Sequence, residues 1–190
     1  MNSQNKIISI IIPTYNEYKN LPKLLDQLLN LETIFEKEII IVDDNSSDGT
    51  QNLARSYSQN DRRIRLISRL GRCGLSSAIK EGCLCASGDL IVIMDADGQH
   101  EPNSIIYGLK KFNNKNIDII TGSRFLEESI IKGLSSKRER GSSIANFLAR
   151  ITLHSGYKKL TDYMTGFILL KRNSCIKYIE KIDVNGFKFL

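Results

Sequence analysis

Five short runs, at residues 7–12, 38–42, 64–67, 90–94 and 117–121, are apolar and rich in β-branched side chains. Runs of this kind predict strands buried on both faces. Between them the pattern changes period. Leu21, Leu24, Leu25, Leu28 and Leu29 recur at helical spacing, and residues 47–58, 75–85 and 102–112 also read as helices. Pro102 suits a first helical turn. Strand and helix alternating at this spacing predict parallel pairing and a layered α/β sheet.

After Phe125 the pattern loosens. Residues 126–140 are polar and basic with Gly133, which predicts a loop or mobile arm. Ile144, Phe147, Leu148 and Ile151 are spaced as one face of an amphipathic helix. Residues 167–170 predict a further strand and 174–181 a last helix. Without repeat, low-complexity stretch or clear linker, residues 1–190 are expected to form one domain.

Ligands of open α/β sheets bind beyond the carboxyl ends of the strands. The least ordinary segments lie there: 13–17, 43–48, 69–74, 95–100 and 122–124. Asp95-Ala-Asp97-Gly-Gln99 follows a very apolar strand. Two carboxylates one residue apart repel unless a cation lies between them. Read as an extended segment, it directs Asp95, Asp97 and Gln99 to one side, where they can hold Mg²⁺ or Mn²⁺ against a ligand's phosphates. The plainer reading is two solvated loop aspartates or caps before Pro102.

The other segments carry weaker signals. Asp44 can accept hydrogen bonds from a ribose or base edge, while Ser47 or Asp48 can cap the next helix. Tyr15 offers a ring for stacking and Glu17 an acceptor, although an ordinary loop would look the same. Arg124 ends the fifth run, and a guanidinium suits a phosphate.

Composition narrows the class. Apolar residues make up 41% of the chain, which excludes disorder. No apolar run approaches the roughly 20 residues of a membrane span, and the first residues lack signal-peptide architecture. The four cysteines and two histidines form no zinc pattern, so reduced thiols are expected. Residues 130–190 hold 12 Lys/Arg against 4 Asp/Glu, which points to an anionic partner or to a solvated basic surface. No nucleic-acid motif accompanies these charges, so nucleic acid is not an expected partner. No GxGxxG follows the first strand, which excludes a dinucleotide oxidoreductase.

Taken together, IIPTYNE, IVDDNSSDGT, RCGLSSAIKEG, MDADGQHEP, GSRF, Arg138-x-x-x-Ser142 and DYMTGF resemble the family 2 glycosyltransferases. Within these, the order and spacing resemble the dolichol-phosphate mannosyltransferase-like branch. The resemblance runs from Ile7 to Leu190. It implies an α/β, GT-A (Rossmann-like) three-layer sandwich with a mostly parallel central sheet. Pro13, Tyr15, Glu17, Val42 and Asp44 match nucleoside-binding positions. Asp95, Ala96, Asp97 and Gln99 match the nucleotide and metal site. Arg124 and Arg138 match arginines facing the diphosphate and the acceptor phosphate, with Ser142 beside the latter. With Asp97 these two arginines form the expected catalytic set.

The resemblance further implies inverting transfer of a hexose, with GDP-mannose the favoured donor, onto a polyprenyl phosphate at the cytoplasmic face of a membrane. Relatives continue past the position of Leu190 with basic residues and often membrane helices, so the resemblance leaves three readings of the chain: a fragment, a truncated form or a degenerate copy. Family members commonly have proline where this chain has Tyr163, after Asp162. An acceptor phosphate is already ionised at neutral pH, so no general base is required. A saccharide hydroxyl acceptor would need one, and Asp162 is the candidate. A third reading is a nucleotide-sugar-binding pseudoenzyme or assembly subunit.

Overall fold

The structure is a computed structural model that describes residues 6–71, 73–112, 117–123, 162 and 165–183. Its strands are β1 (Ile7–Thr14), β2 (Glu36–Asp43), β3 (Ile64–Ser68), β4 (Leu90–Met94), β5 (Ile119–Thr121) and β6 (Phe167–Lys171). The helices are α1 (Leu21–Leu29), α2 (Thr50–Asn60), α3 (Leu75–Cys85), α4 (Asn103–Lys111) and α5 (Arg172–Lys181). Each described run that the apolar pattern predicts is present, with ends shifted by a few residues.

The strands form one sheet in the order β3-β2-β1-β4-β6-β5. β1 pairs in parallel with β2 and β4, and β2 with β3. β6 runs antiparallel to both β4 and β5. The sheet is therefore mostly parallel, as expected, with one reversed strand inserted before its edge.

Near-continuous apolarity in β1 follows from burial on both sides. Ile8, Ile10 and Ile12 face a layer with Leu21, Leu25 and Leu28 of α1, Ala54 of α2 and Ile105 of α4. Ile11, with Ile40, Val42, Ile91 and Ile93, faces Ala78, Ile79 and Cys83 of α3 and Cys175 and Ile179 of α5. Alternation along each strand thus builds three layers. Each fully buried isoleucine or leucine contributes about 1.5–3 kcal/mol of transfer free energy. α3 packs so closely that a Cβ on Gly82 would overlap Ile11 Cγ2 and lie 3.0 Å from Val42 Cγ2.

β1 has β2 on one side and β4 on the other, so chain direction across the sheet reverses between β1 and β4. This reversal opens a crevice at the carboxyl ends of these strands. Gly88 and Ser9 close the opposite end, where Gly88 N–H donates to Ser9 Oγ at 2.8 Å.

Candidate active site at the carboxyl ends of the strands

A cavity of about 250 Å³ fills that crevice. It is lined by Pro13, Thr14, Tyr15 and Glu17 after β1, Asp44 after β2, Gly74, Leu75 and Ala78 at the start of α3, and Asp95, Ala96 and Asp97 after β4. Most of the expected nucleotide-binding residues therefore meet in one place. Val42 does not line the cavity; its side chain is buried against α3. Gln99 does not line it either. Arg124, Arg138 and Ser142 lie outside the described residues.

The loops after β1 and β2 are stitched together. Asn16 and Asn45 both adopt left-handed backbone, φ 59° and 63°. Asn16 N–H donates to Ser46 Oγ at 2.9 Å, and Ser47 N–H donates to Asn16 Oδ1 at 3.0 Å. Glu17 N–H donates to Thr50 Oγ1 and Tyr18 N–H to Asp48 Oδ2. These bonds set Tyr15 and Glu17 beside Asp44.

The paired aspartates at the end of β2 divide their tasks because neighbours on a strand point oppositely. Asp43 is fully buried and accepts from Thr14 Oγ1, Ser46 N–H and Ser46 Oγ. Asp44 turns to the cavity. Its Oδ1 accepts from Arg69 Nη1 and Cys73 N–H, both at 2.9 Å, and its Oδ2 from Gly74 N–H at 2.8 Å.

Arg69 has no role in the sequence-based reading, yet it anchors this side of the site. It is nearly buried, and besides Asp44 it meets Gly74 O at 3.1 Å, Ser77 Oγ at 2.7 Å and Glu81 Oε2 at 3.1 Å. Its position after β3, before a segment otherwise read only as a motif, was the available signal.

Two local expectations are corrected. Helix α2 begins at Thr50, not at Ser47, and Gly49 occupies the cap position with φ 99°. Of the two expected caps, Ser47 makes none, whereas Asp48 accepts from Thr50 N–H, the first of α2, and from Thr50 Oγ1. Burial would raise the Asp48 carboxyl, but these bonds and that from Tyr18 hold it below the usual range. The second correction concerns residues 95–99, which are not extended. They form a turn in which Gln99 N–H donates to Asp97 Oδ1 at 3.0 Å and Gly98 takes φ 76°, a conformation open to glycine. Asp95 and Asp97 still border the same cavity.

Asp95 is half-buried, and its N–H donates to Gly166 O at 3.1 Å. Asp97 is exposed and also borders a wider groove of about 980 Å³ between α1 and α4, which reaches His100. His100 in turn borders an apolar hollow of about 270 Å³ with Tyr107, Ile120, Gly122 and Phe167. The His100 and Phe167 rings lie 5.9 Å apart. Asp162 is buried.

A model of glycosyl transferase family 2 matches residues 9–179. The chain belongs to that family. It is 35% identical over 185 residues to the dolichol-phosphate mannosyltransferase of Pyrococcus furiosus, covering 96% of this chain and 51% of that protein. A dolichyl-phosphate beta-glucosyltransferase of Trichomonas vaginalis is 32% identical over 186 residues, covering 88% of this chain and 54% of that protein. The chain thus spans about half the length of these relatives, and its expected place in the dolichol-phosphate mannosyltransferase-like branch stands.

Solved structures agree on the fold. Glucosyl-3-phosphoglycerate synthase of Mycobacterium tuberculosis, solved with Mn²⁺, UDP-glucose and phosphoglyceric acid, has a TM-score of 0.68 at 19% identity, over 88% of this chain and 57% of that one. A mannosyltransferase of Pyrobaculum calidifontis, solved with GDP-mannose and Mn²⁺, has a TM-score of 0.59 at 18% identity, over 90% of this chain and 46% of that one. The fold is GT-A.

Proposed function

We propose that this chain is the nucleotide-sugar-binding catalytic part of an enzyme that transfers a hexose from a nucleoside-diphosphate sugar to a polyprenyl phosphate. The observation that carries the reading is the convergence of Tyr15, Glu17, Asp44, Asp95 and Asp97 on one cavity at the sheet's switch point. Matched relatives use dolichyl phosphate by name, with mannose in one case and glucose in the other.

The donor set fits a hard divalent cation. Arg69 pairs with Asp44, and Glu17, Asp95 and Asp97 bring three further carboxylates to the cavity. An anionic diphosphate would be repelled from it without a counter-charge. Among the described residues no three His, Cys, Asp or Glu side chains form a complete metal cluster. Asp95 and Asp97 supply two carboxylates and leave room for phosphate oxygens. Asp95 and Asp97 would hold a Mg²⁺ or Mn²⁺ there, which would supply positive charge to a leaving diphosphate.

The chain's own residues position the reactants. Tyr15 stacks on the base, Asp44 accepts from the ribose or the base edge, Glu17 offers the nucleoside a further acceptor, and Ala96 lies beside the nucleotide. An acceptor phosphate oxygen attacks the anomeric carbon as the bond to the diphosphate breaks, which inverts the configuration. Because that oxygen is already anionic, positioning and charge neutralisation supply the catalysis. Arg124 is proposed to face the diphosphate, and Arg138 and Ser142 the acceptor phosphate. The apolar hollow beside His100 suits the first isoprene units of the lipid.

Among the described residues no helix is long and apolar enough to cross a membrane. The basic balance of residues 130–190 supports a peripheral placement on an anionic cytoplasmic membrane face. The test is transfer from radiolabelled UDP-glucose and GDP-mannose to dolichyl phosphate, undecaprenyl phosphate and free oligosaccharides. Product that partitions into organic solvent is expected. Transfer to free saccharide alone, abolished by Asp162→Asn, would show a base-catalysed hydroxyl acceptor instead.

A further inference from the structure

Leu70 is 96% exposed, on the loop that follows β3. This loop lies at the carboxyl ends of the strands, the end of the sheet that carries the cavity. Its stem is pinned on both sides. Before Leu70, Arg69 N–H donates to Asp43 O at 3.0 Å, and Asp44, Ser77, Glu81 and the Gly74 carbonyl hold the guanidinium. Beyond it, Cys73 N–H and Gly74 N–H both donate to the Asp44 carboxylate. Gly71 turns the chain at the tip with φ 75° and has open space around it. The anchored stem thus holds a leucine out in solvent.

Among the described residues only Ile34 is a comparably exposed large apolar side chain, at 95%. It precedes β2 and so lies at the opposite end of the sheet. The two differ in what comes to face them. The acceptor proposed above carries its phosphate at the surface of a bilayer, so the cavity end must reach that surface for transfer. Leu70 travels with it, and Ile34 stays away. Tyr18, half exposed after β1 at the cavity end, adds a ring suited to headgroup depth. A protein partner fits Leu70 less well. Exposed Ser68, Gly71 and Cys73 flank it, far short of the apolar centre of an interface of roughly 1,000 Å². A fluid bilayer takes up one side chain without shape complementarity.

We propose that Leu70 is a membrane-inserting side chain, and that the loop between β3 and α3 enters the lipid surface and sets the cavity mouth against it. This rests on the polyprenyl-phosphate reading above and assigns the peripheral contact to one end of the fold. Insertion is apolar, so salt does not screen it as it screens the attraction of basic residues.

Sedimentation of the full chain with phosphatidylcholine–phosphatidylserine vesicles tests it. Leu70→Ser should lower partitioning about tenfold, at low and high salt alike. Ile34→Ser should match wild type. Equal partitioning of Leu70→Ser and wild type, or an equal loss in both variants, overturns the inference. The chain has no tryptophan, so Leu70→Trp and Ile34→Trp each supply a single emission reporter. Vesicles with brominated acyl chains should quench Leu70→Trp and leave Ile34→Trp unchanged. Unquenched Leu70→Trp overturns the inference, as does Leu70-dependent self-association without vesicles, which would make the tip a protein contact. Calorimetry of the same samples with UDP and GDP in Mn²⁺ separates the inference from the reading beneath it. Wild type that binds nucleotide but no vesicle overturns the membrane contact and leaves the nucleotide-sugar reading intact. Wild type that binds neither overturns both.

Discussion

Gly166 lies against Asp95 so closely that a Cβ at Gly166 would overlap the Asp95 carboxylate, while Gly166 O accepts the Asp95 N–H at 3.1 Å. The residue just before β6 thus meets both the backbone and the side chain of a proposed metal-binding residue. Gly166→Ala should push the carboxylate aside and weaken Mn²⁺-dependent UDP binding about tenfold or more. Metal-free binding should change much less. Equal Mn²⁺-dependent affinity in wild type and variant, measured by calorimetry, would show that Asp95 needs no such support.

The interior of α3 makes a stability prediction that does not touch the site. Gly82→Ala would drive a methyl group into Ile11 and Val42 on the sheet. Overpacking of this kind costs about 1–3 kcal/mol. Urea denaturation should show a lower midpoint at an unchanged slope. A midpoint equal to wild type would mean that α3 shifts freely on the sheet.

Much of this architecture is legible in the sequence because burial leaves a local mark. β1, β2 and β4 are apolar on both faces, and α1 carries leucines on one stripe, so period alone identifies them. The cavity residues stand out because each follows such a strand. What is not legible depends on long-range geometry. Antiparallel insertion of β6 between β4 and β5 leaves no period of its own. The turn at 95–99 rests on Gly98 and on a bond from Gln99 N–H to Asp97, which a strand-like reading overlooks. Arg69 reads as one more polar loop residue until Asp44, Ser77 and Glu81 are seen around it.

Thiol reactivity should split evenly. Cys73 and Cys85 are exposed, whereas Cys83 and Cys175 are buried. Burial, with a smaller effect of nearby Cys175, pushes the Cys83 thiol up to about 12. Burial, then nearby Asp118, also raises Cys175. Only thiolates react readily. An aromatic disulfide reagent at pH 8 should therefore titrate two of the four thiols quickly in the native chain and all four in denaturant. Four fast thiols in the native state would contradict the packing of α3 against α5.

Acid stability should depend on Glu38 at the opposite end of the sheet. Burial raises its carboxyl, but hydrogen bonds from Ser9, Ser87 and Arg65 outweigh this and hold it below the usual carboxylate range. A depressed folded value means that the contribution is fully present above the unfolded value, near 4.5, and is lost as pH falls through the folded one. Thermal melts between pH 6 and pH 3 should show a shallower acid loss in Glu38→Gln than in wild type, from a lower starting stability. Parallel curves would show that Glu38 titrates alike in the folded and unfolded chains.

The proposed nucleotide site stands or falls on cooperation between metal and nucleotide at Asp95 and Asp97. Asp97 is exposed, so Asp97→Ala should leave the thermal midpoint nearly unchanged. Calorimetry with a nucleoside diphosphate, in Mn²⁺ and in EDTA, reads the site without requiring turnover. Wild type should bind at least tenfold more tightly in Mn²⁺, and Asp97→Ala should lose that gain. Equal affinity in Mn²⁺ and EDTA, in wild type and variant alike, would contradict the assignment.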